Sequence, residues 1–131
     1  MNTLNIKFNG NIISNPNFIY DKKIFSEQPN INLNNDKNYT IMMIDRDAPI
    51  LDKGKYWLHW LIVNTNETIV PYHPPTPPQK SGIHRYYILI FEQQQILNFV
   101  VQFERANFDM EKFVSEKKLK LVYKQRFKTQ Y

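Results

Sequence analysis

The sequence predicts a mostly β protein, a sandwich of two antiparallel sheets with one short helix. Three observations lead to this prediction. Strand-type patterns recur along the whole chain, helical periodicity occurs in one stretch, and 131 residues, of which 42% are hydrophobic, are enough for one core. Because no linker or internal repeat divides the chain, we expect residues 1–131 to form a single domain.

The first strand patterns include the most apolar stretches of the chain. Leu4, Ile6 and Phe8 alternate with polar residues, which is typical of a half-buried strand. The runs 39–44 (YTIMMI) and 57–63 (WLHWLIV) are almost entirely apolar and are bounded by polar or turn residues. Such runs are typical of central strands that are covered on both faces.

Three further strands are predicted later in the chain. Residues 85–91 (RYYILIF) are rich in aromatic and β-branched side chains, which favour a strand. Residues 96–103 form another largely apolar run and predict a strand. Alternation over residues 119–123 predicts a strand that closes the fold.

The helix is predicted at residues 109–118 (DMEKFVSEKK). Phe113 and Val114 follow Met110 at spacings of three and four, so the three side chains share one face of a helix. Asn107 and Asp109 are the candidate N-caps, because their side-chain oxygens can accept from the unpaired N–H groups of the first turn.

Composition excludes several classes of protein and favours acidic partners. The chain has no cysteine, which excludes disulfides, thiolate catalysis and cysteine-type zinc sites. It has no apolar run of transmembrane length and no signal-peptide pattern, so we expect a cytoplasmic protein. The net charge of +5 favours anionic partners. The cations are scattered and match no nucleic-acid-binding motif, so we expect no nucleic-acid partner. We also expect the protein to be a monomer.

Two irregular segments between apolar strands are candidates for the walls of a site. Residues 45–55 (DRDAPILDKGK) separate two predicted central strands. Residues 71–81 (PYHPPTPPQKS) carry five prolines and predict an extended loop. A proline-rich segment is more often a linker or a ligand of peptide-binding domains. Its place between two strongly apolar strands favours a loop that walls a site.

Six side chains near these segments could carry chemistry: Asp45, Asp47, His59, His84, Arg85 and Tyr86. Each also has a structural interpretation. A lone histidine in an apolar strand is usually a satisfied core residue, two aspartates at a strand end usually shape a turn, and an arginine can pair with an aspartate to hold two loops. A metal site is a further alternative, but the spacing contains no HxH or HxxxH pair.

Three segments in a fixed order favour a functional site over these structural interpretations. They are DRDAP at 45–49, WLHW at 57–60 and PPQKSGIHRY at 77–86. Together they resemble the signature of the phosphatidylethanolamine-binding protein family, which includes Raf kinase inhibitor proteins and plant flowering-time regulators. The resemblance covers roughly residues 25–121. One departure is Arg46, which stands where the family usually has a proline and adds a cation near the site.

The resemblance implies a β-sandwich with a small pocket that takes phosphate, sulfate, acetate or a phosphorylated headgroup. The implied walls are Asp45, Pro49, Trp57, His59, Pro77, Pro78, His84 and Tyr86. Asp45 is expected to orient His59 and keep it cationic, as a neighbouring carboxylate raises a histidine pKa. Asp47 and Arg85 are assigned structural roles, and a cis bond is implied before Pro49.

The expected function is therefore binding without catalysis, with no cofactor and no metal. The ligand would be a small phosphate-like anion, a phospholipid headgroup or a phosphorylated peptide, and the protein partner a kinase or a phosphoserine-reading adaptor. The alternatives are a hydrolase, metal-assisted or using Asp45, His59 and His84 as acid–base groups, and a protein whose pocket is vestigial.

Overall fold

The computed structural model describes residues 6–33, 36–49, 54–99 and 103–131 and confirms the mostly β class. The described residues form two sheets, one α-helix and one short 3₁₀ helix, Lys22–Phe25. The elements in chain order are β1 (Ile6–Phe8), β2 (Asn11–Ile12), β3 (Ile19–Asp21), β4 (Asn30–Ile31), β5 (Asn38–Asp45), β6 (Trp57–Val63), β7 (Glu67–Val70), β8 (His84–Gln93), α1 (Met110–Glu116) and β9 (Lys120–Gln130).

A six-stranded sheet in the order β3-β9-β8-β5-β6-β7 forms the centre of the fold. Its pairs are antiparallel except for β3 and β9, which run parallel with Ile19 opposite Lys128. A three-stranded antiparallel sheet in the order β2-β1-β4 is the second layer. The two central runs predicted from the sequence, β5 and β6, are neighbours in the large sheet, and β8 lies on the other side of β5.

Both faces of the large sheet are covered, which explains why its central strands are apolar at successive positions. One face packs on the small sheet through a core that includes Phe8, Phe25, Ile41, Ile88 and Phe127. The other face packs on α1 and the segments around it. The buried residues of this second core include Met42, Ile44, Leu61, Leu89, Phe91, Leu97, Phe108 and Phe113.

The predicted helix and closing strand form close to their expected positions. Helix α1 begins after Asp109, whose carboxylate accepts from the backbone N–H of Lys112, so this residue is the N-cap. Strand β9 is longer than predicted, because its polar residues continue to pair with β8 as far as Thr129. The predicted strand residue Leu4 lies outside the described residues.

The predicted strand at 96–103 is wrong for its described part, residues 96–99 and 103, which form no strand. The physical reason is the side chain of Asn64. Its Oδ1 accepts from the backbone N–H of Leu97 at 2.9 Å, and its Nδ2 donates to the carbonyl of Leu97 at 2.9 Å. One amide side chain thus satisfies both backbone groups of Leu97 that a neighbouring strand would otherwise pair.

The bond before Pro49 also differs from expectation. None of the peptide bonds among the described residues is cis, so Ala48–Pro49 is trans and the implied cis bond is wrong.

Candidate functional site

A cavity of about 250 Å³ opens at one end of β5, β6 and β8. Seven of the eight wall residues expected from the sequence line it, and Ala48 and Thr76 join them. Pro77 differs, because it is buried outside the lining while its neighbour Pro78 faces the cavity. The lining residues are Asp45, Ala48, Pro49, Trp57, His59, Thr76, Pro78, His84 and Tyr86.

Strand register brings the polar lining residues together. Asp45, the last residue of β5, lies opposite Trp57 on one side and Tyr86 on the other. His59 follows Trp57 by two residues and His84 precedes Tyr86 by two. Alternate residues of a strand share one face of the sheet, so all five side chains point to the cavity side.

Asp45 pairs with His84, so the expectation that it would orient His59 is wrong. Its Oδ2 lies 2.8 Å from Nδ1 of His84, and its Oδ1 accepts from the backbone N–H of Asp47 at 2.7 Å. Both members of the pair are buried. Burial raises the pKa of Asp45, although the hydrogen bonds from His84 and Asp47 act in the opposite direction.

The second ring nitrogen of His84 is held by Ser81. The Nε2–Oγ distance is 2.8 Å, and the same Oγ lies 2.6 Å from the carbonyl oxygen of Pro78. A carbonyl can only accept, so the single hydroxyl proton of Ser81 points to Pro78. Nε2 of His84 therefore donates to the oxygen of Ser81, and Nδ1 forms a hydrogen bond with the carboxyl group of Asp45, so both ring nitrogens are occupied.

His59 is neutral, and the expectation of a cationic His59 is wrong. Burial lowers its pKa to about 3, and the hydrogen bond to His73 offsets this only in part. Its Nδ1 lies 2.7 Å from the carbonyl oxygen of His73 and must donate to it. In a neutral ring Nε2 then carries the lone pair, so His59 presents an acceptor to the cavity.

Tyr86 supplies the cavity with an unpaired donor. Its hydroxyl is buried and has no hydrogen-bond partner among the described residues. Burial raises the pKa of Tyr86, and the nearby carboxylate of Asp45 raises it further. The two groups are close enough for this effect but not placed for a hydrogen bond. The hydroxyl therefore keeps its proton over the physiological range.

Asp47 and Arg85 hold the loop that follows β5. One carboxylate oxygen of Asp47 accepts from the backbone N–H of Arg85 at 2.7 Å and from its Nε at 2.9 Å, and the other accepts from Nη2 at 2.8 Å. These bonds lower the pKa of Asp47. Neither residue lines the cavity.

Two residues that the sequence analysis did not single out also shape the site. His73 acts through its backbone, since its carbonyl sets which nitrogen of His59 is protonated and its N–H donates to the carbonyl of His59 at 2.9 Å. Arg105 donates to the carbonyls of Leu58, His59 and Pro71 and so ties β6 to the proline-rich loop. Backbone acceptors leave no pattern in a sequence, so neither role had a signal there.

Two classes of feature are absent from the part of the chain that the structure describes. No three or more side chains among its His, Asp and Glu residues are grouped to hold a metal ion. No helix within 6–33, 36–49, 54–99 or 103–131 has the length and hydropathy to cross a membrane.

Comparisons with known proteins agree on one family. Residues 5–127 match the family described as phosphatidylethanolamine-binding protein. The putative odorant-binding protein A5 of Drosophila melanogaster is 34% identical in an alignment that covers 86% of this chain and 62% of that protein. The chain therefore spans less than two thirds of that relative's length.

Solved structures show the same fold. A carboxypeptidase Y inhibitor, determined in complex with its cognate proteinase, aligns with a TM-score of 0.80 at 18% identity, over 97% of this chain and 82% of that one. A phosphatidylethanolamine-binding protein from Plasmodium vivax aligns with a TM-score of 0.72 at 17% identity, over 97% and 84%. At such identities the likeness concerns the fold alone.

Proposed function

Because the chain belongs to the phosphatidylethanolamine-binding protein family, we propose that it is a non-enzymatic binding protein whose cavity takes a small phosphate-like anion or a phosphorylated headgroup. The observation that carries the proposal is the unpaired hydroxyl of Tyr86 in the cavity wall. A buried donor without a partner costs ~1–3 kcal/mol. A ligand oxygen that accepts from Tyr86 removes this cost and explains why the hydroxyl is retained there.

The other polar groups of the cavity define what the ligand must look like. Tyr86 donates, while His59 accepts through Nε2. Both ring nitrogens of His84 are occupied by Asp45 and Ser81. The ligand must therefore offer one acceptor and one donor, and a phosphate that keeps one proton has both. A fully deprotonated phosphate has no donor for His59 and approaches the carboxylate of Asp45 with a higher negative charge.

The ligand's own proton should make binding depend on pH. A phosphomonoester loses its second proton near pH ~6, and binding weakens as the pH rises above this value. The direction is the one expected for cationic histidines, but the titrating group is the ligand, because His59 is already neutral.

The hydrolase alternative lacks an activated nucleophile. Asp45, His84 and Ser81 form a hydrogen-bonded series, yet the proton of Ser81 points to the Pro78 carbonyl and not to His84. A serine becomes nucleophilic when an adjacent base takes its proton. Ser81 also lies outside the lining of the cavity. These contacts indicate that Ser81 holds the ring of His84 in place and does not act as a nucleophile.

The lining also suits a phosphorylated side chain of a partner protein. Pro49, Thr76 and Pro78 are exposed at the cavity and offer contact surface around a bound phosphate. Three properties stay predictions: that the partner is a kinase or a phosphoserine-reading adaptor, that the location is cytoplasmic, and that the protein is a monomer.

The test is a titration of methyl phosphate, a phosphomonoester, and of dimethyl phosphate, followed by NMR. Dimethyl phosphate is also an anion, but it has no proton to donate to His59. We expect methyl phosphate to bind at pH 5.5, to bind more weakly by roughly tenfold or more at pH 7.5, and dimethyl phosphate to bind weakly at both values. Equal binding of the two ions would contradict the assigned roles of His59 and Tyr86.

A pair of tyrosine variants locates the ligand. Tyr86→Phe removes the donor and should weaken phosphate binding about ten- to hundredfold, the value of a hydrogen bond to a charged group. Tyr72→Phe is the matched control, because its hydroxyl donates to the carbonyl of Phe25 and lies outside the cavity. Unchanged affinity in Tyr86→Phe would place the anion elsewhere.

A further inference from the structure

A cationic surface lies on the face of the large sheet opposite the cavity. Because residues directly opposite each other in a sheet share a face, Arg46, Arg85 and Lys128 form a row across β5, β8 and β9. Neighbours in this row are about 4.8 Å apart, the spacing of strands. Lys124 and Arg126 extend the row along β9 on the same face, at intervals of about 7 Å.

Tyr87 lies at the corner of this surface, opposite Arg126 on β9. Burial acts to raise its pKa, yet Arg46 and Arg126 lower it overall, so two guanidinium groups are close to one hydroxyl. We call the six residues the sheet-face patch: Arg46, Arg85, Tyr87, Lys124, Arg126 and Lys128.

The positive charge of the patch is compensated only in part. Asp47 neutralises the guanidinium of Arg85 through two hydrogen bonds, and Arg126 donates to the amide oxygen of Asn17. Among the described residues, no carboxylate lies within ion-pairing distance of the four remaining cations of the patch. Four cations that share one face of the sheet without a carboxylate partner in the described part of the chain create a positive potential there, which favours an anionic partner.

The shape of the surrounding layer limits what the partner can be. The helical layer covers the same face of the sheet, where Phe108 and Phe113 belong to the same buried core as Leu89 and Phe91. Layers of secondary structure are about 10 Å thick. The edge of the helical layer therefore forms a step of about this height beside the patch. A planar membrane or a nucleic-acid duplex is held away by this step, whereas a narrow extended chain can lie along β9.

From the charge and the step together, we propose that the sheet-face patch docks an acidic extended segment of a partner protein. Carboxylates suit the patch, since three of its five cations are arginines, which bind carboxylates in a bidentate manner. Alternate side chains of an extended segment are about 7 Å apart, which matches the spacing of Lys124, Arg126 and Lys128. The patch is independent of the cavity, because the two lie on opposite faces of the sheet.

The probe is a fluorescein-labelled eight-residue peptide in which glutamate alternates with serine. Its binding is measured by fluorescence anisotropy at 50 and 300 mM salt, and the backbone amide shifts it causes are mapped by NMR. We expect binding that weakens at the higher salt concentration, and shifts concentrated at residues 46, 85–87 and 124–128. The double variant Lys124→Glu/Lys128→Glu should lose about tenfold or more in affinity.

The matched control is Lys7→Glu/Lys118→Glu, which changes the net charge equally at two exposed lysines away from the patch. It should change the affinity less than about twofold. Equal losses in both double variants would show that net charge alone attracts the peptide and would overturn the proposal. So would the absence of binding in the wild-type protein. Loss of binding to anionic vesicles or to oligothymidine in the patch variant, without loss of peptide binding, would assign the patch to those partners instead.

Discussion

The hydroxyls of two tyrosines, Tyr72 and Tyr86, differ in their hydrogen bonding. Tyr72 is half-buried and Tyr86 is buried. The Tyr72 hydroxyl donates to the carbonyl of Phe25 at 2.6 Å, whereas the Tyr86 hydroxyl has no partner among the described residues. Burial raises the pKa of both. At this scale, hydrogen bonds distinguish Tyr72, which stabilises the fold, from Tyr86, whose hydroxyl is the ligand donor in the proposed function.

This contrast predicts the stability of the two phenylalanine variants in the absence of ligand. Tyr72→Phe should lower the free energy of unfolding by about 1–2 kcal/mol, because the Phe25 carbonyl loses its donor. Tyr86→Phe should leave it unchanged or raise it by up to about 1 kcal/mol, because an unpaired buried hydroxyl is removed. Urea denaturation measures both values. A loss in Tyr86→Phe as large as that in Tyr72→Phe would mean that Tyr86 has a structural partner.

At the scale of elements, a polar group inside the apolar sheet joins β5, β6 and β8. The side-chain oxygen of Gln93 accepts from the Thr40 hydroxyl at 2.7 Å and from the backbone N–H of Asn64 at 2.8 Å. Its amide nitrogen donates to Asn64 Oδ1 at 2.9 Å and to the carbonyl of Gln95 at 3.0 Å. Because Asn64 in turn holds both backbone groups of Leu97, this network accounts for the absence of a strand at residues 96–99.

Gln93→Ala should therefore be strongly destabilising, by about 2–4 kcal/mol, since it leaves buried donors on Thr40 and Asn64 unpaired. The matched control is the next residue: Gln94 is exposed, and Gln94→Ala should change stability by less than about 0.5 kcal/mol. Chemical denaturation compares the two. Similar values for both variants would show that the network contributes little to the stability of the sheet.

At the scale of the whole molecule, the buried neutral His59 makes stability depend on pH. Its pKa is about 3 in the folded protein and 6.5 as an ordinary value. Between these values the unfolded chain binds a proton that the folded protein does not, so stability falls as the pH is lowered below 6.5. Asp45 acts in the opposite direction, because its raised pKa makes the folded protein take up a proton first.

The contribution of His59 is isolated by comparison with His59→Asn, which keeps a donor for the His73 carbonyl and does not titrate. From pH 6.5 to 4.5 the wild-type protein should lose about 2 kcal/mol more stability than the variant. The effects of Asp45 and Asp47 are common to both proteins and cancel in the difference. Denaturation curves at a series of pH values give the result. Parallel pH profiles would show that His59 is protonated in the folded protein.

Local patterns in the amino-acid sequence determine much of this protein by themselves. Apolar runs predicted β5, β6 and β8 as central strands, because a strand covered on both faces needs apolar residues at successive positions. The order of three short segments indicated the family and seven of the cavity-lining residues. The cis bond implied by the resemblance was wrong, and so was the strand at 96–103 for its described part; Pro77 lies outside the cavity lining.

Only the tertiary structure decided which groups meet. Asp45 could have faced either histidine, and the pairing of β5 with β8 placed it against His84. Burial made His59 neutral, and the carbonyl of His73 decided which of its ring nitrogens is left as the acceptor. The row of Arg46, Arg85 and Lys128 exists because three strands that are distant in sequence are in register. Hydrogen bonds and the electrostatic effect of burial depend on distances of a few ångströms between such strands, and a sequence does not contain these distances.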